Sequence, residues 1–215
     1  MLFDFEKISP QDAYKLVVSS VVPRPIAWVV SQDAAGLVNV APYSFFNAFS
    51  NNPVVVGIGC GPRPEGAAKD TLANIRATGQ FVVNLVPFDH VQQMNVTAVE
   101  FGPEVDEMAE AGLTPLPSSR VGPPRIAESP VALECETFQL VPAGQHTIVL
   151  GRVLAVHIKD DCVLDAAKCY VDTPKLGLVG RMHGRGWYVK TSDRFELPRM
   201  TPAQWAERKA TKAAE

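Results

Sequence analysis

RPIAWVVSQDAAGLVNVAPYSFFNAFSNNP, residues 24–53, decides how the chain is read. Pro23 and Pro25 force extended backbone ahead of it. Residues 26–31 (IAWVVS) are β-branched and aromatic, a polar turn (QDAAG) follows, and 37–41 (LVNVA) return as a second β-type run. That order predicts a hairpin. Beyond it, Asn39, Tyr43, Ser44 and Asn47 sit among aromatic residues. For this segment alone a strand end packed by Phe45 and Phe46 explains the pattern, with the polar residues bonding local backbone.

Working outward, Ser9-Pro10-Gln11-Asp12 opens a short helix, with Ser as cap and Pro in the first turn. Residues 54–60 (VVVGIGC) predict a third strand. Asp70 to Thr78 predict a helix stopped by Gly79. Residues 81–86 return to strand, and 88–99 and 104–111 predict short helices. Residues 113–130, rich in Pro, Ser and Gly, predict a long wandering loop. Two long strands follow at 131–141 and 146–158; in the first, Val131, Leu133, Cys135, Thr137 and Gln139 alternate with Ala132, Glu134, Glu136 and Phe138, which predicts a half-exposed strand. Residues 187–191 predict a late strand. Thr201-Pro202-Ala203-Gln204 starts a last helix with a capping box. Residues 1–200 are expected to form one domain, with 201–215 as a C-terminal helix and charged tail. Strands without a helix after each one exclude a doubly wound parallel sheet and point to a mainly β, antiparallel barrel.

The bulk composition excludes several classes. With 47% hydrophobic and 20% charged residues the chain is globular rather than disordered. A net charge of −3 without a basic block gives no sign of a nucleic-acid partner. Its apolar runs are too short to cross a bilayer, so no membrane partner is expected. The start of the chain has no signal-peptide layout, and a cytoplasmic location is expected. The four cysteines form no CxxC pair and read as buried thiols of a reducing compartment. Dinucleotide, P-loop, nucleophile-elbow and HExxH motifs are missing, and no metal site is expected.

GPRPEGAAKDTLANI, residues 61–75, runs a Gly- and Pro-rich loop carrying Arg63 and Lys69 into the start of a helix. A helix N-terminus offers N–H groups and a positive dipole end. Arg63, Lys69 and the Thr71 hydroxyl therefore suit an anion, whereas Asp70 would compete as an N-cap or cap the helix from the side.

Together RPIAWVVSQDAAGLVNVAPYSFFNAFSNNP, KDTLANI, FVVNLV, HTIVLGRV (146–153) and WYVKTSDRFELPR (187–199) resemble the flavin reductase-like family of FMN-binding split barrels. The branch is the one holding the nitrilotriacetate monooxygenase reductase component and the flavoredoxin-like proteins. The likeness runs in order from about residue 20 to about residue 200. It implies a six-stranded antiparallel split β-barrel with short helices packed outside, a homodimer, and FMN near the subunit interface.

FMN carries a phosphate with between about one and two negative charges, and the resemblance assigns it to Lys69 and Thr71, with Arg63 and Asp70 beside them. It lays the flavin along 39–46, with Asn39 and Tyr43 in that segment and backbone groups of Val40, Ala41 and Ser44 on the ring's polar rim. Trp28 or Phe45 supplies an apolar wall or is core. Arg24 is either a surface ion-pair residue or a charge at the flavin N1–C2=O edge. His146 is a flavin neighbour or a structural histidine. Arg181 and His183, in GRMHGRG, close over the site or over the partner subunit.

The implied activity is NADH- or NADPH-dependent reduction of FMN, with reduced flavin or electrons passed to a partner monooxygenase or redox protein. No catalytic side chain is expected, because the flavin carries the hydride chemistry. The alternatives are a flavoredoxin-like FMN electron carrier without nicotinamide activity, and a barrel that has lost flavin.

Overall fold

The computed structural model describes residues 1–63, 66–102, 104–184 and 186–214, without the side chains at 210 and 212–214. Pro64 and Glu65 of the 61–75 stretch, Arg185 of the glycine-rich stretch and Glu215 of the tail lie outside the described residues.

Among the described residues fourteen strands follow in chain order. The first six are β1 (Arg24–Pro25), β2 (Ala27–Gln32), β3 (Val38–Tyr43), β4 (Phe46–Asn51), β5 (Val54–Cys60) and β6 (Gln80–Leu85). Two short ones, β7 (Pro115–Leu116) and β8 (Arg125–Ile126), precede the long pair β9 (Val131–Ala143) and β10 (His146–Ile158). The last are β11 (Val163–Asp165), β12 (Tyr170–Val171), β13 (Val179–Arg181) and β14 (Tyr188–Lys190). The α-helices are α1 (Pro10–Ser20), α2 (Asp70–Thr78), α3 (Val91–Val96), α4 (Glu107–Glu110) and α5 (Pro202–Ala214).

One antiparallel sheet dominates, in the order β3-β2-β6-β9-β10-β5-β4. The expected split barrel is present, and its continuous sheet carries seven strands rather than six. The extra one is β4, an edge strand paired only to β5. A second sheet, β1-β13-β14, ties residues 24–25 to the late strand at 188–190.

β2 explains why its sequence reads as a continuous apolar run. Ala27 and Val29 pack with Ile58, Phe81, Val83 and the α2 residues Leu72 and Ile75. Trp28 and Val30 point the other way, to Val40, Val82, Met94 and Met108. Both faces are buried, so the strand has no polar side. On β10, a Cβ at Gly151 would collide with the Phe81 ring, which holds that space in the core.

The 113–130 segment does not wander. Buried polar groups of the sheet anchor it. Asn84 Oδ1 accepts from the Ile126 amide at 3.0 Å, and Ser129 Oγ donates to the Leu85 carbonyl at 2.7 Å. On the half-exposed strand predicted at 131–141, Glu134 is fully buried because this segment covers it. Its carboxylate accepts from the Ser119 and Arg120 amides and pairs with His157. The cysteine reading is corrected at one position: Cys60, Cys135 and Cys162 are buried, but Cys169 is exposed.

No helix among the described residues is long and apolar enough to cross a membrane. At α5 the capping box forms: Thr201 N donates to Gln204 Oε1 at 2.8 Å and Gln204 N to Thr201 Oγ1 at 3.3 Å. Because α5 is exposed along its described residues, Thr201→Ala is expected to cost about 0.5–2 kcal/mol of local helix stability only. Amide exchange in 202–209 should quicken while the melting midpoint of the barrel stays put. A shifted midpoint would show that α5 is part of the cooperative unit.

Candidate functional site

Helix α2 begins as the sequence predicts, but its cap differs. Lys69 occupies the N-cap position, with extended backbone and no side-chain cap bond. Asp70 neither caps the helix nor competes for its N–H groups. Its carboxylate is taken by the Arg63 guanidinium instead. Among the described residues the Lys69 ammonium has no ion pair or hydrogen bond. At the other end Gly79 closes the helix at φ 71°, its amide bonded to the Ile75 carbonyl.

The start of α2 borders a cavity of about 170 Å³. β3 contributes Asn39, Ala41, Pro42 and Tyr43. The loop and helix contribute Arg63, Lys69, Asp70 and Thr71, and the chain after α3 adds Val99 and Phe101. Three buried polar atoms on this wall have no hydrogen-bond partner: Asn39 Nδ2, Tyr43 Oη and Thr71 Oγ1. Tyr43 Oη lies beside Cys60 and Thr71, yet neither neighbour reaches hydrogen-bond geometry. Burial, with Cys60 adding to it, pushes the Tyr43 phenol well above its ordinary value, so it stays protonated and able to donate. Burial likewise pushes the Cys60 thiol up to about 12, against the pull of Lys69. The thiol is therefore no nucleophile.

The remaining expected site residues fall outside this cavity. Trp28 is fully buried, and its indole N–H donates to Thr97 Oγ1 at 2.9 Å. It is core and offers no wall to a ligand. The Val40 amide, expected on a flavin rim, is already engaged: it donates to Glu107 Oε2 at 3.1 Å. Arg24 makes no surface ion pair. It is buried, and with Ser44 it lines a neighbouring cavity. Phe45 stacks on His146 with ring centroids 5.9 Å apart, away from the wall of the first cavity.

Glu107 was not legible as a site residue. Nothing in PEVDEMAE separates it from its acidic neighbours; only the packing of α4 on β3 buries it. It lines the cavity, and burial pushes its carboxyl up against the opposing Val40 N–H bond. Asp106, beside it, does ordinary capping work, accepting from the Met108 and Ala109 amides.

Fold and cavity define a class: an antiparallel split-barrel protein with a cation-bearing, hydroxyl-lined cavity where one helix begins. The chain belongs to the family of the flavin reductase like domain, whose model matches residues 18–173. An uncharacterized protein of Deinococcus radiodurans is 44% identical over 209 residues, covering 95% of this chain and 92% of that one. Among solved structures, nitrilotriacetate monooxygenase component B from Bacillus cereus superposes with a TM-score of 0.86 at 30% identity. It covers 92% of this chain and 98% of its own. Pseudomonas fluorescens 2-nitrobenzoate 2-nitroreductase superposes with a TM-score of 0.85 at 31% identity, covering 94% and 98%.

Proposed function

We propose that this protein is an FMN-dependent oxidoreductase in which NADH or NADPH reduces bound flavin and the electrons pass on to a partner monooxygenase or redox protein. The observation that carries the reading is the cavity wall: three buried polar atoms and an ammonium that have no partners among the described residues, in a flavin reductase-like chain. Buried polar atoms without partners are costly and rare, so a ligand that satisfies them is favoured.

Lys69, the Thr71 hydroxyl and the start of α2 hold the phosphate. Arg63, spent on Asp70, shapes the loop and adds little net charge. Asn39 and Tyr43 serve ribityl hydroxyls and ring heteroatoms, and Ala41 and Pro42 give an apolar floor. Glu107, on the cavity wall, fixes β3 through the Val40 amide, which orients the strand under the ring. Bound FMN supplies the hydride-accepting chemistry, so no protein acid–base pair is needed.

Phe45 and Phe49 lie exposed across Gly59 and Gly57 of β5. This apolar strip supports a homodimer, and Phe45 and His146 then belong to the subunit interface. A relative that is a component of a monooxygenase supports a monooxygenase partner. In this reading residues 1–200 form the functional domain, 201–215 are appended to it, and the protein works in the cytoplasm.

The test is the visible spectrum of the purified protein, kept anaerobic, before and after nicotinamide. A flavin band that bleaches with NADH or NADPH is the expected result. Protein that takes up no FMN sinks the reading, and FMN that is retained but indifferent to both nicotinamides makes it an electron carrier.

A further inference from the structure

The short pairing of β1 with β13 sets Arg24 directly opposite Arg181. Like charges facing each other across a strand pair are destabilising. Here neither guanidinium meets a carboxylate among the described residues, and Arg24 is held by carbonyls, two of them at the C-terminal end of α1.

The two arginines are not equivalent. Arg24 is 6% exposed and pinned. Its Nη1 donates to the Val18 and Val21 carbonyls at 2.7 and 2.8 Å, and its Nη2 to the Met182 carbonyl at 2.8 Å. Its Nε has only a long contact of 3.4 Å to Ser44 Oγ. Arg24 is thus a fixed charge with few donors left. Among the described residues Arg181 makes one bond, to the Gly184 carbonyl at 3.1 Å, and lies over the Tyr188 ring with 4.7 Å to the centroid. A guanidinium has five N–H donors, so Arg181 keeps most of its own, and the ring beneath holds its plane in place.

Both side chains line a cavity of about 240 Å³. Pro42 and Ala98 line this cavity and the candidate flavin site alike, so the two adjoin. Among the described residues the second cavity carries two cations and no carboxylate on its wall. It is an anion site by charge, and it is separate from Lys69.

We propose that this cavity binds the diphosphate of the nicotinamide dinucleotide, with Arg181 as the phosphate ligand and Arg24 as the fixed charge behind it. The assignment rests on reading the adjoining cavity as a flavin site. A donor must lay its nicotinamide on the flavin, and its diphosphate follows one ribose away. The Arg181 fork can bind phosphate oxygens in pairs, and the fixed charge of Arg24 beside it balances the second phosphate. The cavity is too small for a whole dinucleotide, so the adenosine end lies outside it.

The experiment titrates FMN-loaded wild type, Arg181→Gln and Arg181→Lys with NAD⁺, NADP⁺ and inorganic pyrophosphate by calorimetry. FMN affinity is followed separately by flavin fluorescence. Arg181→Gln is expected to weaken both nucleotides and pyrophosphate about tenfold or more, with Arg181→Lys in between and FMN affinity within about twofold of wild type. A melting curve for each variant excludes misfolding, and the lysine variant keeps the test open if the glutamine variant fails to fold. Nucleotide affinity unchanged in Arg181→Gln overturns the proposal. So does a loss confined to FMN, because the cavity would then belong to the flavin. Wild type that binds pyrophosphate through Arg181 yet is bleached by neither nicotinamide keeps the anion subsite and overturns the donor assignment. The two readings therefore fail separately.

Discussion

Glu134→Ala lowers the stability of the barrel by about 3–5 kcal/mol, because each donor it leaves unsatisfied under the 113–130 segment costs about 1–3 kcal/mol. For a chain of this size that is a fall of roughly 10 °C or more in the melting midpoint. The substitution strands three groups at once: the Ser119 and Arg120 amides and the His157 ring, all of which meet the Glu134 carboxylate. With the carboxylate gone, the 113–130 segment loses a fastening to β9, and a cavity opens under it. Burial alone would push the Glu134 carboxyl up, but the Ser119 amide, His157 and the Arg120 amide outweigh it and hold it below its ordinary value of 4.5.

The sign of the pH dependence follows. The unfolded chain binds the proton more readily than the folded one, so the stabilisation is complete above about pH 4.5 and is lost as pH falls through the lower folded value. The alanine variant should therefore lack part of the wild-type acid limb. Denaturant melts at pH 7 and across the acid range measure both effects. A loss under about 1 kcal/mol with an unchanged acid limb would show that water can replace the carboxylate.

Lys69→Ala weakens FMN binding by about 1–3 kcal/mol, roughly 5- to 150-fold, the scale of a charge-assisted hydrogen bond to phosphate. The apoprotein keeps its melting point, because Lys69 has no bonded partner to lose among the described residues. The wild-type affinity should fall with added salt, and that of the variant should fall less. Flavin fluorescence titration at two salt concentrations reads both. Unchanged affinity would take Lys69 out of the site and leave the phosphate to Thr71 and the helix terminus.

Local rules account for the elements that were legible. Residues 54–60, 70–78 and 146–158 have the bounds their sequences predict, because β-branched runs, a Gly stop and turn residues act on neighbours a few positions away. β4 was missed for the opposite reason. FNAFSN alternates weakly, is mostly exposed, and is a strand only because β5 offers it an open edge. The 113–130 loop looked unfastened because its fasteners, Asn84, Glu134 and the backbone of Leu85, lie far away in the chain.

The site divides along the same line. Asn39, Ala41, Tyr43, Arg63, Lys69, Asp70 and Thr71 were named from the chain and do share one cavity. Trp28, Val40, Phe45 and His146 were named with them and lie elsewhere.

From sequence alone came the barrel class and the cationic helix start, which depend on residue types at short spacing, and the family likeness, which depends on the order of such stretches along the chain. The tertiary structure alone decided that Asp70 goes to Arg63, that Glu107 and Glu134 are buried, and that Arg24 faces Arg181. Charge pairing and burial are properties of residues brought together from distant parts of the chain, and no short-range pattern records who the neighbour will be.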